Sequence, residues 1–484
     1  MIEGLVAKKR MKEMKSMNSC GYVTFSSIDC VYIIENDGIR LIPTQKESVR
    51  ELNSHFDDQD FLFHFSSMEY KNCVSHIDRV EMNAGGAIRL IPSYYLKLLN
   101  NNPISSMRII GPSIDEVFHP AGYYYSKHES GTKNDTDLTR DLEIADHWNI
   151  TIGEEKVDVS LQYGGILHHG IASDMMLHPQ LFLSFRPTTD YQFLFKIYTV
   201  ITRFMQLLQY NSNCGNCKVY LRGSEPNYNS GYLFDWAFIE EKRSFFNEVQ
   251  YRYLKAYILN LLQFSADNTN ISLDFLPNAD YRWNRTDYTP QILTSLFAAF
   301  ESEYKANIKE YETEPVEDYS NLKKEIVRKI QECATSSKTD SEKEFLSKAG
   351  NAILNLGNQA GQTKKVKNVL HVLHNALQSS AEHLFIRGKI GTKSGFSSEE
   401  INRISKELVG LRALVSHEYS LSAFDDLQAE YIHFLEILVH AQMLKRAGID
   451  DAGIELIIGI VFHCNFKYME FLQKGNTKGE EPAT

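Results

Sequence analysis

The sequence predicts an α+β protein in which a β-rich, sandwich-like N-terminal domain precedes an all-α helical bundle. Short apolar runs separated by polar turns occupy residues 21–239, and the apolar spacing becomes helical from about residue 245 onward. The aromatic residues are also unevenly distributed, because most of the 26 Tyr and 27 Phe precede residue 300. We therefore expect two differently built halves.

The expected strands of the first half are short, and glycine-containing turns such as Tyr163-Gly164-Gly165 separate them. One helix interrupts the strands, because apolar residues recur at a spacing near 3.6 between Tyr191 and Leu208. The strands are expected at 22–25, 31–34, 39–42, 61–65, 88–91, 157–161, 181–185, 218–222 and 232–238.

The second half is expected to be helical almost throughout. Ser397 followed three residues later by Glu400 predicts a capping box at the start of one helix. The helices are expected at 245–264, 290–311, 319–333, 341–356, 365–385, 398–415, 425–447 and 450–471. The domain organisation follows as a β-rich domain at 1–243, a helical connector at 244–318, a helical domain at 319–474 and a polar tail at 475–484.

Composition and charge exclude several classes of protein. The chain has 484 residues with 51 Lys and Arg against 62 Asp and Glu, and a net charge of −11 argues against coating nucleic acid through the overall field. No apolar run approaches the roughly 20 residues that cross a bilayer, and the N-terminus has no secretory apolar region. Seven irregularly spaced cysteines do not form a disulfide framework, so we expect a cytoplasmic protein.

Three motifs have part of the pattern of a metal or cofactor site, but none of them completes it. Cys214 and Cys217 have the spacing of half a zinc site but no second pair, and His168-His169 lacks helical metal-ligand spacing. Gly357 to Gly361 lacks the ending of a phosphate-binding loop. We therefore expect neither a metal nor another cofactor.

The most informative segment runs from Leu408 to Tyr419, with four residues between Arg412 and His417 and with Tyr419 two residues after His417. With four to six intervening residues allowed, the pattern also occurs at Arg50 to His55 and Arg140 to His147, in a polar stretch and in an acidic connection. Only the third lies on a helix that a long apolar helix follows. Because His417 lies about 140° around an ideal helix from Arg412, joint action requires the helix to distort or end there.

This segment resembles the RxxxxH signature of HEPN-domain ribonucleases. The apolar helix 431–447, the segment 115–240 and the helix Ile292 to Glu301 are similar to parts of anti-phage HEPN nucleases of the ApeA type. The resemblance implies a HEPN-type bundle and a homodimer or higher homo-oligomer formed through that bundle. Ala413 departs from the polar residue that often follows the family's arginine.

The residue types fit RNA cleavage without a metal, because RNA supplies its own nucleophile, the 2′-hydroxyl. His417 can move protons near neutral pH and the guanidinium of Arg412 matches phosphate oxygens. Ser416 and Tyr419 are assigned supporting or regulatory roles, with Tyr419 either packing on the bundle or accepting a nucleotidyl group from a separate enzyme. A solvated helix face is the usual explanation of such a cluster of cations, but these residues are also the best available phosphate contacts in an acidic chain: Lys364, Lys365, Lys367, Arg387, Lys389 and Lys393.

Two functions remain open. The first is a metal-independent endoribonuclease of an anti-phage, abortive-infection or toxin-like system, cleaving RNA such as tRNA, with the β-rich domain sensing a phage-derived trigger. The second is a non-catalytic β-domain sensor or binding protein whose degenerate HEPN module serves dimerisation. In that case Arg412 and His417 only cap and brace the bundle.

Overall fold

The chain divides into two compact units, Met1–Asp280 and Tyr281–Thr484. The computed structural model describes residues 20–25, 27–35, 38–45, 61–66, 72–82, 88–119, 143–166, 176–210, 217–223, 229–236, 251–267, 288–312, 320–337, 339–355, 361–385, 397–417 and 424–462. The helices expected between 244 and 318 are shared between the units, with 251–267 in the first and 290–311 in the second.

Twelve strands make up the sheet of the first unit within its described residues. They are β1 Cys20–Phe25, β2 Ile28–Glu35, β3 Gly38–Pro43, β4 Phe61–Phe65, β5 Asn72–Met82, β6 Ile88–Leu98, β7 Ile104–Ile110, β8 Glu143–Ile152, β9 Glu155–Ile166, β10 Met176–Thr188, β11 Lys218–Gly223 and β12 Asn229–Asp235. All pairings between them are antiparallel, in the order β1-β2-β3-β6-β12-β11-β7-β10-β9-β8.

The sheet branches at β6, which pairs with β3 and β12 along one edge and with β5 along the other. The rings of Tyr32 on β2 and Phe63 on β4 lie 6.0 Å apart, although three strands separate β2 from β4 along the sheet. This part of the sheet therefore curls back on itself around an aromatic core. Phe65, Tyr95 and Trp236 complete that core, with Trp236 edge-on to both other rings.

Four helices accompany the sheet among the residues that the structure describes: α1 Pro112–Val117, α2 Tyr191–Gln209, α3 Tyr251–Leu254 and α4 Ile258–Asp267. The long helix α2 is confirmed almost to the residue, and Asp190 caps it by accepting from the backbone N–H of Phe193 at 3.2 Å. Its apolar face packs on the sheet, where the rings of Phe195 and His76 lie 5.5 Å apart. The Tyr198 hydroxyl donates to the Asp235 carboxylate on β12.

The predictions from the sequence omitted three strands and placed one turn wrongly. Strands β5, β7 and β8 are rich in polar residues, but each is paired with neighbours whose backbone hydrogen bonds override the weak strand signal. His147 thus lies in β8 and not in an acidic connection. The turn predicted at Tyr163-Gly164-Gly165 is wrong, because β9 continues to Ile166 in register with β10.

The second unit is helical throughout its described residues. Its helices are α5 Pro290–Ala306, α6 Ile308–Tyr311, α7 Ser320–Ser336, α8 Asp340–Asn355, α9 Gln362–Val372, α10 His374–Phe385, α11 Ser398–His417, α12 Asp426–Arg446 and α13 Asp451–Val461. Every side chain of α12 from Tyr431 to Leu444 is buried, because α5, α10, α11 and α13 all pack against it. This helix is the centre of the unit.

The predicted capping box of α11 is confirmed. The backbone N–H of Glu400 donates to Ser397 Oγ at 3.2 Å, and the backbone N–H of Ser397 donates to Glu400 Oε2 at 3.0 Å. The helix expected at 365–385 is interrupted at Leu373, which separates α9 from α10. Among the described helices, none combines the length and apolar character needed to span a membrane.

Candidate active site

Helix α11 carries the RxxxxH segment. Its buried residues Ile401, Ile404, Leu408 and Leu411 recur at intervals of three and four, so one face of the helix packs into the unit. Arg412 lies one position beyond the last of these residues, at the edge of the buried face. Its side chain is 42% exposed.

The guanidinium of Arg412 is held by two residues of α5. Arg412 Nη1 donates to Glu301 Oε1 at 2.6 Å, and the guanidinium carbon lies 5.4 Å from the centre of the Phe297 ring. The Glu301 side chain is 23% exposed, so this ion pair is partly shielded from water. The arginine is thus fixed in direction while much of its surface remains accessible.

The same oxygen of Glu301 accepts a second hydrogen bond. Gln362 Nε2, at the first residue of α9, donates to Glu301 Oε1 at 2.8 Å. Glu301 therefore connects α5, α9 and α11 around the arginine. Sequence reasoning missed this residue; the available signal was that Glu301 and Glu303 are the only acidic residues of the otherwise mostly apolar α5.

His417 is the last residue of α11, so the helix ends where joint action with Arg412 requires it to distort or end. Ser416 precedes it in the helix. The side chains of Ser416 and His417 and the whole of Tyr419 lie outside the described residues. Of the two residues that define the RxxxxH motif, the structure therefore describes the side chain of Arg412 only.

The candidate phosphate contacts differ in accessibility. Lys364 is exposed and Lys367 is half-buried, whereas Lys365 is buried with its Nζ 5.8 Å from the centre of the Tyr304 ring. Lys364 is therefore the most accessible of these three lysines. Arg387, Lys389 and Lys393 lie outside the described residues.

Tyr304 connects Lys365 to the same region of the unit. Its hydroxyl donates to Glu312 Oε1 at 2.9 Å and accepts from Asn368 Nδ2 at 3.1 Å. Burial raises the pKa of the Tyr304 hydroxyl to about 12, so the phenol stays protonated at neutral pH. A neutral phenol beneath Lys365 holds the ammonium through its ring and not through a phenolate charge.

A buried polar cluster, not anticipated from the sequence, lies on α12. Glu436 Oε2 accepts from the Tyr288 hydroxyl at 2.7 Å and from His433 Nδ1 at 3.1 Å. Because a carboxylate only accepts, His433 carries a proton on Nδ1 in this arrangement. His433 and Glu436 are 6% and 5% exposed, which makes the cluster part of the interior and not a substrate site.

The first unit contains a cavity of about 440 Å³ that opens beside β1, β4 and the start of α2. Its lining includes Tyr22, Tyr191 and His64, and an amide pair in which Asn72 Nδ2 donates to Asn101 Oδ1 at 3.1 Å. Aromatic faces and amides suit a small polar ligand with a flat ring. Within the described part of the chain, no three His, Cys, Asp or Glu side chains come together as metal ligands.

Comparison of the chain with protein-family models, with curated proteins and with solved structures gave no match.

Proposed function

We propose that this protein is a metal-independent endoribonuclease of the HEPN type, with Arg412 and His417 as its catalytic residues. The observation that carries the proposal is the arrangement on α11, where an accessible arginine oriented by Glu301 and Phe297 precedes a histidine at the helix end. The motif thus lies in a helical unit and on a helix that ends at its histidine. The resemblance to HEPN nucleases supplies the reaction.

In this proposal each residue has one chemical task. His417 accepts the proton of the RNA 2′-hydroxyl or returns a proton to the leaving 5′-oxygen, depending on its protonation state. Arg412 binds the phosphate, whose charge increases as the 2′-oxygen attacks. The P–O5′ bond breaks as the P–O2′ bond forms, which leaves a 2′,3′-cyclic phosphate and a 5′-hydroxyl.

Glu301 is proposed as a positioning residue. It accepts from Nη1 of the guanidinium, a planar group with five N–H donors in a fixed arrangement. An arginine held in one orientation loses less freedom when it binds a phosphate. The carboxylate also reduces the attraction of the site for phosphate, so binding relies on several contacts, including Lys364.

The biological role proposed with this activity is anti-phage or toxin-like defence, in which a homodimer of the HEPN-type unit cleaves RNA such as tRNA. The β-rich unit would sense a phage-derived trigger, and the cavity lined by Tyr22, His64 and Tyr191 supports a ligand-binding role for it. A sandwich-like architecture for this unit agrees with the curl of the sheet around Tyr32 and Phe63.

The second candidate is a non-catalytic sensor whose helical unit serves only dimerisation. The ion pair between Arg412 and Glu301 favours it, because a neutralised arginine that links α11 to α5 also acts as a brace. Under this alternative, Arg412→Ala lowers the stability of the protein and has no effect on RNA.

The test uses purified full-length protein and a mixture of cellular RNA. Arg412→Ala and His417→Ala are each expected to abolish cleavage, and chelator is expected to leave wild-type cleavage unchanged. Arg403→Ala, on the exposed face of the same helix, and His371→Ala, exposed on α9, are matched controls that should cleave normally. No RNA cleavage by the wild-type protein would favour the sensor, whereas cleavage by His417→Ala at the wild-type rate would mean that other residues carry the catalysis.

A further inference from the structure

Helices α7 and α8 form an antiparallel hairpin that packs principally against itself. Only residues 337–339 join the two helices, and the backbone N–H of Glu342 donates to Thr339 Oγ1 at 3.3 Å to start α8. A Cβ placed on Gly350 of α8 would lie 3.7 Å from Ile330 Cγ2 and 4.0 Å from Val327 Cγ1 of α7. These three residues define the seam between the helices.

The seam leaves much of the hairpin's apolar surface uncovered. Among the described apolar side chains of α7 and α8, Val327 is buried at 6% exposure, whereas Ile330 and Leu346 are only half-buried. Phe345 is 71% exposed and Leu322 is 49% exposed. Two short helices with so open a seam gain little from each other, since helical stability in proteins comes mainly from packing of an apolar face.

The exposed apolar residues share one broad face of the hairpin. Leu322, Ile326 and Cys333 lie about 70 to 110° to one side of the seam on α7. Phe345 lies to the same rotational side of the seam on α8, and in an antiparallel pair this places it on the same broad face. We call Leu322, Ile326, Cys333 and Phe345 the apolar hairpin face.

The opposite broad face of the hairpin is polar. It carries Lys324 and Gln331 from α7 and Lys343 and Ser347 from α8, all of them exposed. Ion pairs on the outer sides, such as Lys329 with Glu325 at 2.9 Å and Lys348 with Glu344 at 2.8 Å, join residues within one helix. The hairpin is therefore amphipathic, with its apolar face directed away from its own seam.

We propose that a second copy of this chain covers the apolar hairpin face, so that two hairpins form an antiparallel four-helix bundle. The charges of the helices favour this occupant, because α7 carries four basic and two acidic residues whereas α8 carries two basic and three acidic residues. A two-fold axis along the hairpin places the basic α7 of one copy beside the acidic α8 of the other. The same axis makes α7 antiparallel to the partner's α8.

The size of the face is adequate for a specific but modest dimer. Each helix is about 25 Å long and two packed helices are about 20 Å wide, so each copy buries roughly 500 Å². The total of roughly 1,000 Å² reaches the lower limit of specific interfaces. The dimer is therefore expected to dissociate within the micromolar range.

The test is the oligomeric state of the full-length protein by sedimentation velocity between about 1 and 100 μM. Wild type is expected to approach twice the mass of the 55.6 kDa chain as concentration rises. Phe345→Asp should raise the dissociation constant about tenfold or more, because it buries two carboxylates in the bundle. Ser347→Asp, on the polar face of the same helix, is the matched control and should leave the dimer unchanged.

Cross-linking identifies the surface directly. With Cys20, Cys214 and Cys464 replaced by Ser, a short bismaleimide is expected to join two chains through the exposed Cys333, because the other described cysteines are buried, and Cys333→Ser should remove that product. A monomer at every concentration would overturn the proposal and leave the face to another partner. A dimer that Phe345→Asp does not weaken would also overturn it, because the copies would then associate elsewhere. The test uses no RNA, so it is separate from the cleavage test.

Discussion

At the scale of single residues, Glu301 is the contact that holds the guanidinium of Arg412 in one direction. Its Oε1 atom accepts from both Arg412 and Gln362, and Phe297 supports the guanidinium from the same helix. A residue that fixes the arginine should affect the rate of cleavage, whereas a simple brace should affect only stability. Two substitutions of Glu301 distinguish these roles.

Glu301→Ala is expected to lower kcat for RNA cleavage about tenfold, because the guanidinium loses the acceptor that orients it. Glu301→Gln is expected to recover most of that loss, since its amide oxygen can still accept from Arg412 Nη1. Steady-state cleavage of one defined RNA measures both variants, with thermal unfolding as the control for folding. If Glu301→Ala and Glu301→Gln lowered the stability of the protein equally and left kcat unchanged, the ion pair would only brace the unit.

His417 illustrates what the sequence could and could not predict at this scale. The spacing between Arg412 and His417 predicts both as site residues, because residue types and their separation are explicit in a sequence. Glu301 lies 111 positions from Arg412, and nothing local to either residue indicates that α5 and α11 pack together. The orienting contact therefore required the tertiary structure.

At the scale of elements, Gly410 stands in the middle of α11, two residues before Arg412. A Cβ at this position would meet no atom within 4 Å, and the residue is exposed. Glycine therefore costs the helix conformational entropy without any steric requirement for it.

Gly410→Ala is expected to raise the free energy of unfolding by about 1 kcal/mol, because alanine favours the helix and fits the available space. Chemical denaturation of the full-length protein measures the change. Gly350→Ala is an instructive comparison, since its Cβ would contact Ile330 and Val327 at the hairpin seam. A loss of stability in Gly410→Ala would show that the helix is not continuous at this point.

The central helix α12 depends on the buried cluster of Tyr288, His433 and Glu436. Glu436→Ala is expected to lower the free energy of unfolding by about 3 kcal/mol, because it removes the acceptor of two buried donors. Denaturant titration provides the measurement, with Glu407→Ala on exposed α11 surface as the control. An effect no larger than that of the control would mean that water reaches the two donors.

The helical elements were predicted far better than the sheet. Apolar periodicity and capping residues such as Ser397 and Glu400 are local, so the sequence located α2, α5 and α11 to within a few residues. Strands β5, β7 and β8 owe their structure to pairing partners distant in sequence, and their polar residues obscure the strand pattern. Branching at β6 is likewise a property of pairing and not of composition.

At the scale of the whole molecule, a net charge of −11 places strong demands on any RNA site. The overall field repels RNA, and Glu301 offsets the charge of Arg412, so binding must come from a local group of cations. Within the described residues, Lys364 is exposed close in sequence to Gln362, which contacts Glu301.

The chemistry of the RNA ends tests the central proposal most directly. Full-length wild type and His417→Ala are incubated with one defined RNA in chelator, and the 3′ ends are analysed by mass spectrometry. We predict 2′,3′-cyclic phosphate ends paired with 5′-hydroxyl ends for wild type, and no new ends for His417→Ala. New ends that carry a 3′-hydroxyl and a 5′-phosphate, or identical products from both proteins, would contradict the assignment of Arg412 and His417.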